Sequence, residues 1–330
     1  MARLTPADEG FVHQLPEPLR VVSTEHHHWR ESYFFVTHDQ HVDSDVVVVA
    51  MATYPARASL DALVLGRVDG DLLFAHHQRP AGDDPHDTAV GAVTVEVVRP
   101  FEELRLTVAP HDGFEADLTF RARTAPYGLR RGQLRDGEGS LLWDQSHMIQ
   151  SGTFEGHYRR GGKSVVVDRW LGQRDHSWGV RDHGRIPMWM WLAVQLPDGM
   201  LGVWHWELAD GSRVFTDGCW ASAGGGAPVP VVDFHHDLRW TGEEGAPVSW
   251  GVDGATVAGL AGTVVFELAG GSRVALSAHG RWCAPYRPFY GGGQHLVAVE
   301  AEDGRRGTAV FEVTGRHHHR FFPTPGPLPA

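Results

Sequence analysis

Lysine is almost missing from this 330-residue chain: Lys163 is the only one among 29 basic residues, set against 41 acidic ones and a net charge of −12. No basic run occurs, so nucleic acid and anionic membrane surfaces are poor partners. Cysteine is scarce as well, with only Cys219 and Cys283. A disulfide framework is therefore not expected, and reduced thiols in a cytoplasmic protein are the simpler expectation. The beginning, "MARLTPADEG", lacks a basic-then-apolar signal pattern. No apolar run approaches the roughly 20 residues of a membrane span; the longest, "VVVVAMA" from Val46, has the length of a strand. No G-x-S-x-G or H-E-x-x-H occurs, and neither Gly224–Gly226 nor Gly291–Gly293 is followed by the Lys-Ser/Thr pair of a phosphate loop.

What fills the chain instead is a pattern of short apolar runs separated by turn dipeptides. Asp69-Gly70, Asp198-Gly199, Asp210-Gly211 and Gly270-Gly271 each sit between two such runs, a strong hairpin signal. The fold class expected is all-β, two antiparallel barrels or sandwiches docked face to face, as residues 1–171 and 172–330. A short helix is expected between Pro6 and Leu19, and the proline-rich tail "FFPTPGPLPA" is expected to be irregular.

Centring the hairpin on Asp198-Gly199 puts Trp191 opposite Trp206, Ala193 opposite Trp204, Leu192 opposite His205 and Met190 opposite Glu207. The next turn places Phe215 beside Trp206 and Asp217 beside Trp204. One face is then a tryptophan wall edged by Gln195 and Asp217; the other is aliphatic and carries His205 and Glu207. Trp191 and Trp206 suit either a core or an apolar ligand. His205 and Glu207 are expected to face a cavity, unless Glu207 merely pairs with Arg213 and His205 is a satisfied core histidine.

The stretch "GQRDHSWGVRDHG", Gly172 to Gly184, concentrates charge between glycines. On an extended backbone Arg174, His176 and Trp178 point one way, and Asp175, Ser177 and Arg181 the other. Three readings stay open. The arginines and aspartates form an ionic lock between two barrels. Alternatively, Asp175 and His176 form an acid–base centre beside Trp178, able to protonate or deprotonate carbon. The third is metal binding, which the consecutive histidines His26–His28, His235–His236 and His317–His319 support poorly, because neighbours on a strand face opposite ways. No metal and no cofactor is expected.

The string "RDHSWGVRD", preceded by "DRW" and followed by "MWMWLAVQLPDG", resembles a superfamily of lipocalin-like proteins. It includes carotenoid 1,2-hydratases and AttH-like proteins, with tocopherol cyclase, kievitone hydratase and lipocalin-like Diels–Alderases as more distant relatives. The resemblance runs from about Tyr33 to Phe322 and is sharp around Asp175–Gly179. It implies two calycin-type barrels and cofactor-independent hydratase, dehydratase, isomerase or cyclase chemistry on a hydrophobic molecule. It also implies that Asp175, His176 and Trp178 border the cavity. Asp182 and His183 stand where several relatives have an aromatic residue, so a terpenoid, steroid-like or aromatic substrate smaller than a carotenoid is as well suited. The expected catalytic residues are Asp175, His176 and His205; the expected substrate contacts are Arg174, Trp178, Arg181, Trp191, Trp206 and Glu207. The alternative is a carrier that binds a hydrophobic ligand without chemistry. Homodimer formation is left open.

Overall fold

The computed structural model describes residues 4–11, 13, 24–41, 44–84, 86–249, 257–285 and 292–314, without the side chains of 282–285. Among them strands are all antiparallel, and the only helical turns are two of 3₁₀ type, η1 (Pro6–Glu9) and η2 (Pro55–Arg57). The helix expected over Pro6–Leu19 is thus a single turn as far as it is described: the backbone is extended at Gly10, and residues 14–19, like the tail, lie outside the described residues. Among the described residues no helix is long and apolar enough to cross a membrane.

The chain divides into two compact units, Met1–Asp39 with Asp45–Asp182, and Gln40–Ser44 with His183–Ala330. The division falls at Asp182/His183 rather than at the expected Leu171/Gly172. The reason is local. The strand carrying the motif pairs without a break on both sides through this point, opposite His38 and Thr37 on one neighbour and Thr153 and Gly152 on the other.

The strands of the first unit are β1 (Trp29–His38), β2 (Val46–Tyr54), β3 (Ser59–Val68), β4 (Asp71–Pro80), β5 (Ala89–Val90), β6 (Val93–Arg99), β7 (Glu103–His111), β8 (Phe114–Ala122), β9 (Tyr127–Gly128), β10 (Gly132–Arg135), β11 (Leu141–Arg160) and β12 (Lys163–Arg181). They form one sheet in the order β4-β3-β2-β1-β12-β11-β8-β7-β6-β5, with β9 and β10 beside β11. The sheet curls until its ends meet through Arg79 of β4, which donates to the carbonyls of Ala89 (2.6 Å) and Asp87 (2.8 Å). Tyr33, Phe35, Val49, Val64, Leu106, Phe120 and Phe154 fill the inside.

The second unit holds β13 (Met188–Leu196), β14 (Gly199–Glu207), β15 (Arg213–Ser222), β16 (Val229–His236), β17 (Arg239–Thr241), β18 (Gly259–Leu268), β19 (Arg273–Pro285), β20 (Gly292–Ala301) and β21 (Arg306–Thr314). Eight of them close a ring, β16-β15-β14-β13-β21-β20-β19-β18 and back to β16, with β17 attached to β18. The architecture is two calycin-like antiparallel barrels. Every residue of β13 and β14 is buried, which explains why "MWMWLAVQL" and "GMLGVWHWE" show so little polar alternation. Met190, Leu192 and Val203 belong to the interior cluster with Phe234, Leu276 and Phe311.

Hairpin chemistry accounts for the turns. Asp69 and Gly70 both take positive φ (53° and 85°) between the paired ends Val68 and Asp71, the two-residue turn that Asp-Gly favours. In the β13–β14 hairpin the pair next to the turn is Leu196↔Gly199, so the turn residues are Pro197-Asp198. The pairs are accordingly Trp189↔Trp206, Trp191↔Trp204, Met190↔His205 and Met188↔Glu207, two residues away from the expected register. The β14–β15 pairs Trp206↔Phe215 and Trp204↔Asp217 fall where expected.

Candidate functional site

Along β12 the side chains alternate as an extended strand requires. Arg174, His176 and Trp178 point to the interior of the first barrel, and Asp175 and Ser177 to the opposite face. This separates the two residues expected to act together. Asp175 meets His147 of β11 (3.2 Å), and Ser177 meets Ser32 (3.1 Å). Asp175 and His176 cannot serve one reacting atom, because consecutive residues of a strand lie on different sides of its sheet.

Arg174 is wholly buried and spoken for. Its guanidinium donates two bonds to the Glu9 carboxylate (2.5 and 2.8 Å) and two to Gln150 Oε1 (3.0 and 2.7 Å), and it lies over the Phe120 ring at 5.3 Å. Glu9 also accepts from the Phe101 N–H, and its carbonyl accepts from the Tyr33 hydroxyl (2.5 Å). A bidentate pair out of water with its remaining lone pairs filled is a structural clamp. It ties the η1 turn to the barrel rather than contacting substrate. Arg181 likewise donates to Gln145 (2.8 Å), and Asp182 sits 3.6 Å from His28.

His176 is different. Its Nε2–H donates to Glu31 Oε1 (2.9 Å), and both side chains are fully buried. The same oxygen accepts from Nδ1–H of His13, whose Nε2 faces Asp8 (2.9 Å). The His13 ring lies parallel to the Trp178 indole, centroids 3.6 Å apart. Burial works against a charged His13, but the carboxylates of Glu31 and Asp8 outweigh it and raise its pKa. Burial likewise opposes ionised Glu31, yet hydrogen bonds from His13 and His176 hold its pKa below the usual carboxylate range. His13 and Trp178 form one wall of a half-open cleft of about 400 Å³ shared with Trp29, Arg131, Asp144 and Ser146.

The second barrel carries its own cluster. His205 and Glu207, two apart on β14, face its interior. His205 Nε2–H donates to Glu207 Oε1 (3.0 Å), and His236 of β16 donates to the same oxygen (2.9 Å). His205 Nδ1 lies 2.6 Å from the Thr216 hydroxyl. Burial dominates here and lowers the His205 pKa despite Glu207. Arg213, the partner of Glu207 in the alternative reading, instead pairs with Asp233 and the Phe234 carbonyl. A cleft of about 370 Å³ opens on His205, Glu207, Asp210, Arg213 and His236.

In each cluster three metal-ligand-type atoms lie within 4.8 Å of one another: His13, Glu31 and His176 in the first, His205, Glu207 and His236 in the second. The tryptophan wall is on the other face of β13 and β14. Trp189 and Trp206 stack at 5.8 Å, Trp189 Nε1 donates to Glu312 (2.5 Å), and Trp191 and Trp206 are buried away from His205. Residue patterns alone brought out neither Glu31 nor His13, and named His236 only within a histidine pair that supports metal binding poorly. For Glu31 a signal existed: in "WRESYF" it shares its strand face with Trp29, Tyr33 and Phe35, a carboxylate set into an apolar stripe.

The model of a family of unknown function, DUF8625, matches residues 4–244. Among solved structures, a candidate AttH protein from Nitrosomonas europaea shares the fold with a TM-score of 0.57, at 13% identity over 87% of this chain and 92% of that one. CghA with Sch210972 gives a TM-score of 0.56 at 15% identity over 87% and 88% of the two chains. Kievitone hydratase from Nectria haematococca gives 0.53 at 12% identity over 87% and 89%. At these identities the likeness is one of fold. No curated protein matches the sequence.

Proposed function

This chain belongs to the family of unknown function DUF8625, and from that premise we propose a function read from its own side chains: an acid–base enzyme of the hydratase or cyclase type, working on a small organic molecule in the cleft beside Trp178. The observation that carries this reading is a fully buried carboxylate, Glu31, bridging two imidazoles, one of which opens on a cleft. The raised pKa of His13 favours its protonated form, the state a general acid needs. Asp8 is 22% exposed where Glu31 is fully buried, so Nε2 is the ring nitrogen that can exchange its partner for substrate. In a hydration the Nε2 proton goes to one carbon of a double bond and water adds to the other, returning a proton to the imidazole. In a cyclisation a nucleophile of the same molecule takes the place of water. Glu31 compensates the charge on His13 throughout, and His176 holds Glu31 in place.

The name of kievitone hydratase, which shares the fold, supports the same class of chemistry. The cleft lining combines Trp29, Trp178, Leu141 and Val180 with Arg131, Asp144 and Ser146. This suits a terpenoid-like or aromatic molecule bearing a polar group better than a pure hydrocarbon.

Native mass spectrometry of protein from its own source would identify the bound molecule, and turnover of that compound is then compared among variants. Glu31→Gln should lower turnover by about 10²- to 10⁴-fold, the usual contribution of acid–base catalysis, with the circular dichroism spectrum kept. Asp175→Asn, on the opposite face of the sheet, should leave turnover intact. Equal turnover by Glu31→Gln and wild type would refute the assignment. A molecule that binds and is never converted would make the protein a carrier.

A further inference from the structure

The second barrel's cluster takes no part in that chemistry, and its geometry points to a metal site: we infer that His205, Glu207 and His236 bind one divalent ion of the zinc class, with the fourth position open to the cleft. Two imidazole nitrogens and one carboxylate oxygen are the donor set preferred by Zn²⁺ and Co²⁺, not by Mg²⁺ or Ca²⁺. Nε2 of His205 and Nε2 of His236 converge on the same oxygen, at 3.0 and 2.9 Å. Around tetrahedral zinc, with bonds of about 2.0–2.1 Å, neighbouring ligand atoms stand about 3.3 Å apart. Each contact therefore has to widen by only about 0.4 Å, within the reach of a side-chain rotation.

Three further features fit. His205 Nδ1 lies 2.6 Å from Thr216 Oγ1, an outer partner that fixes the ring and leaves Nε2 for the ion, the usual support of a metal-bound histidine. The cleft lining carries the carboxylates of Glu207 and Asp210 and one guanidinium, that of Arg213, which is already paired with Asp233, a balance that favours a cation. And the cleft supplies both an entry path and room for a fourth ligand, the arrangement of an open rather than a closed site. His235, next to His236, points out and is 61% exposed. Only one histidine of that pair can therefore join the site.

The test uses the full-length, tag-free chain stripped with a chelator and titrated with Zn²⁺, with Co²⁺ as an absorbing probe. One equivalent should bind tightly, and bound Co²⁺ should show the visible bands of a four-coordinate ion. Thr216→Val, which removes only the outer partner, should weaken binding about 10- to 100-fold. His236→Phe or Glu207→Gln should weaken it further. His13→Phe, in the other barrel, should change nothing. Far-UV circular dichroism checks that each variant is folded, and the conservative Glu207→Gln and Thr216→Val keep the test open should His236→Phe unfold. Binding that survives His236→Phe and Glu207→Gln in folded protein overturns the assignment, as does binding lost only with His13→Phe. Weak uptake of several equivalents also counts against it.

Discussion

Breaking the Glu9–Arg174 clamp would show whether Arg174 belongs to a lock or to the chemistry. In Glu9→Leu the guanidinium keeps its place in the barrel interior but loses both bonds to the carboxylate, retaining only Gln150 Oε1. Removing one partner of a buried ion pair costs about 3–5 kcal/mol, because the other charge is left uncompensated. A domain of this size shifts its Tm by about 2–4 °C per kcal/mol, which predicts a fall of roughly 6–20 °C in the transition of the first unit, followed by calorimetry. Arg174→Met strands the carboxylate instead and should cost a similar amount. The double variant Glu9→Leu/Arg174→Met removes both charges. It should be far less destabilised than the sum of the two, with a residual cost of about 1–3 kcal/mol from the Phe101 N–H that Glu9 no longer accepts. Additive losses, or single losses under about 1 kcal/mol, would refute the clamp. The clamp also bears on function. Glu9 ends the η1 turn whose Asp8 holds His13, so Arg174 acts on the acid only by positioning. A freed η1 should lower the His13 pKa as well as the Tm.

Two further outcomes follow from the same geometry. The imidazole proton signals of His13 and His205 should titrate on opposite sides of the ordinary value of 6.5, His13 above and His205 below. The stability due to His13 is complete below its unfolded pKa and is lost as pH rises through the folded one, whereas that due to His205 is complete above 6.5 and is lost as pH falls; midpoints in the reverse order would contradict the assigned partners. Gly179→Ala should cost at least about 2 kcal/mol by urea denaturation, because Gly179 has φ +133° and an added Cβ would lie 2.1 Å from the Asp144 carbonyl oxygen; a loss under about 0.5 kcal/mol would mean that the β11–β12 pairing there is not tight.

How much of this was legible before the fold was known depends on the range of the interaction. Turn chemistry is local, so the strands on either side of Asp69-Gly70 and Asp210-Gly211 could be read directly, and with the latter the register that sets Trp206 beside Phe215. Taking the β13–β14 turn as Asp198-Gly199 rather than Pro197-Asp198 moved the pairing by two residues. Because side chains alternate with a period of two, an even slip leaves faces unchanged. His205 and Glu207 were therefore assigned to the aliphatic face correctly even though their partners were misplaced. The motif's alternation was readable for the same reason. Its partners were not: Glu9 lies 165 positions from Arg174, and Glu31 lies 145 from His176. Nothing in a single sequence states that β1 pairs with β12, or in which register. Adjacency in sequence then suggested Asp175 as the partner of His176, when the pleat puts both immediate neighbours, Asp175 and Ser177, on the other side of the sheet.

The two clusters are built alike, each with a glutamate oxygen accepting from two imidazoles, and yet they are poised for different tasks. The difference lies in the count of charges around them. In the first barrel Asp8 joins Glu31, so two carboxylates face His13, and a proton on that ring is balanced even though burial opposes it. In the second barrel Glu207 alone serves both His205 and His236, Thr216 contributes only a neutral hydroxyl, and the positive field of Arg213 acts against a proton on His205. There burial, with only Glu207 to oppose it, moves His205 toward its neutral form. Two imidazoles around one anion offer the right donors to a metal cation; an imidazole between two anions favours a proton that it can deliver. Swapping the outer partners is the sharpest consequence: Asp8→Thr should move His13 toward the neutral state of His205, lowering its titration midpoint without disturbing the Glu31 bridge.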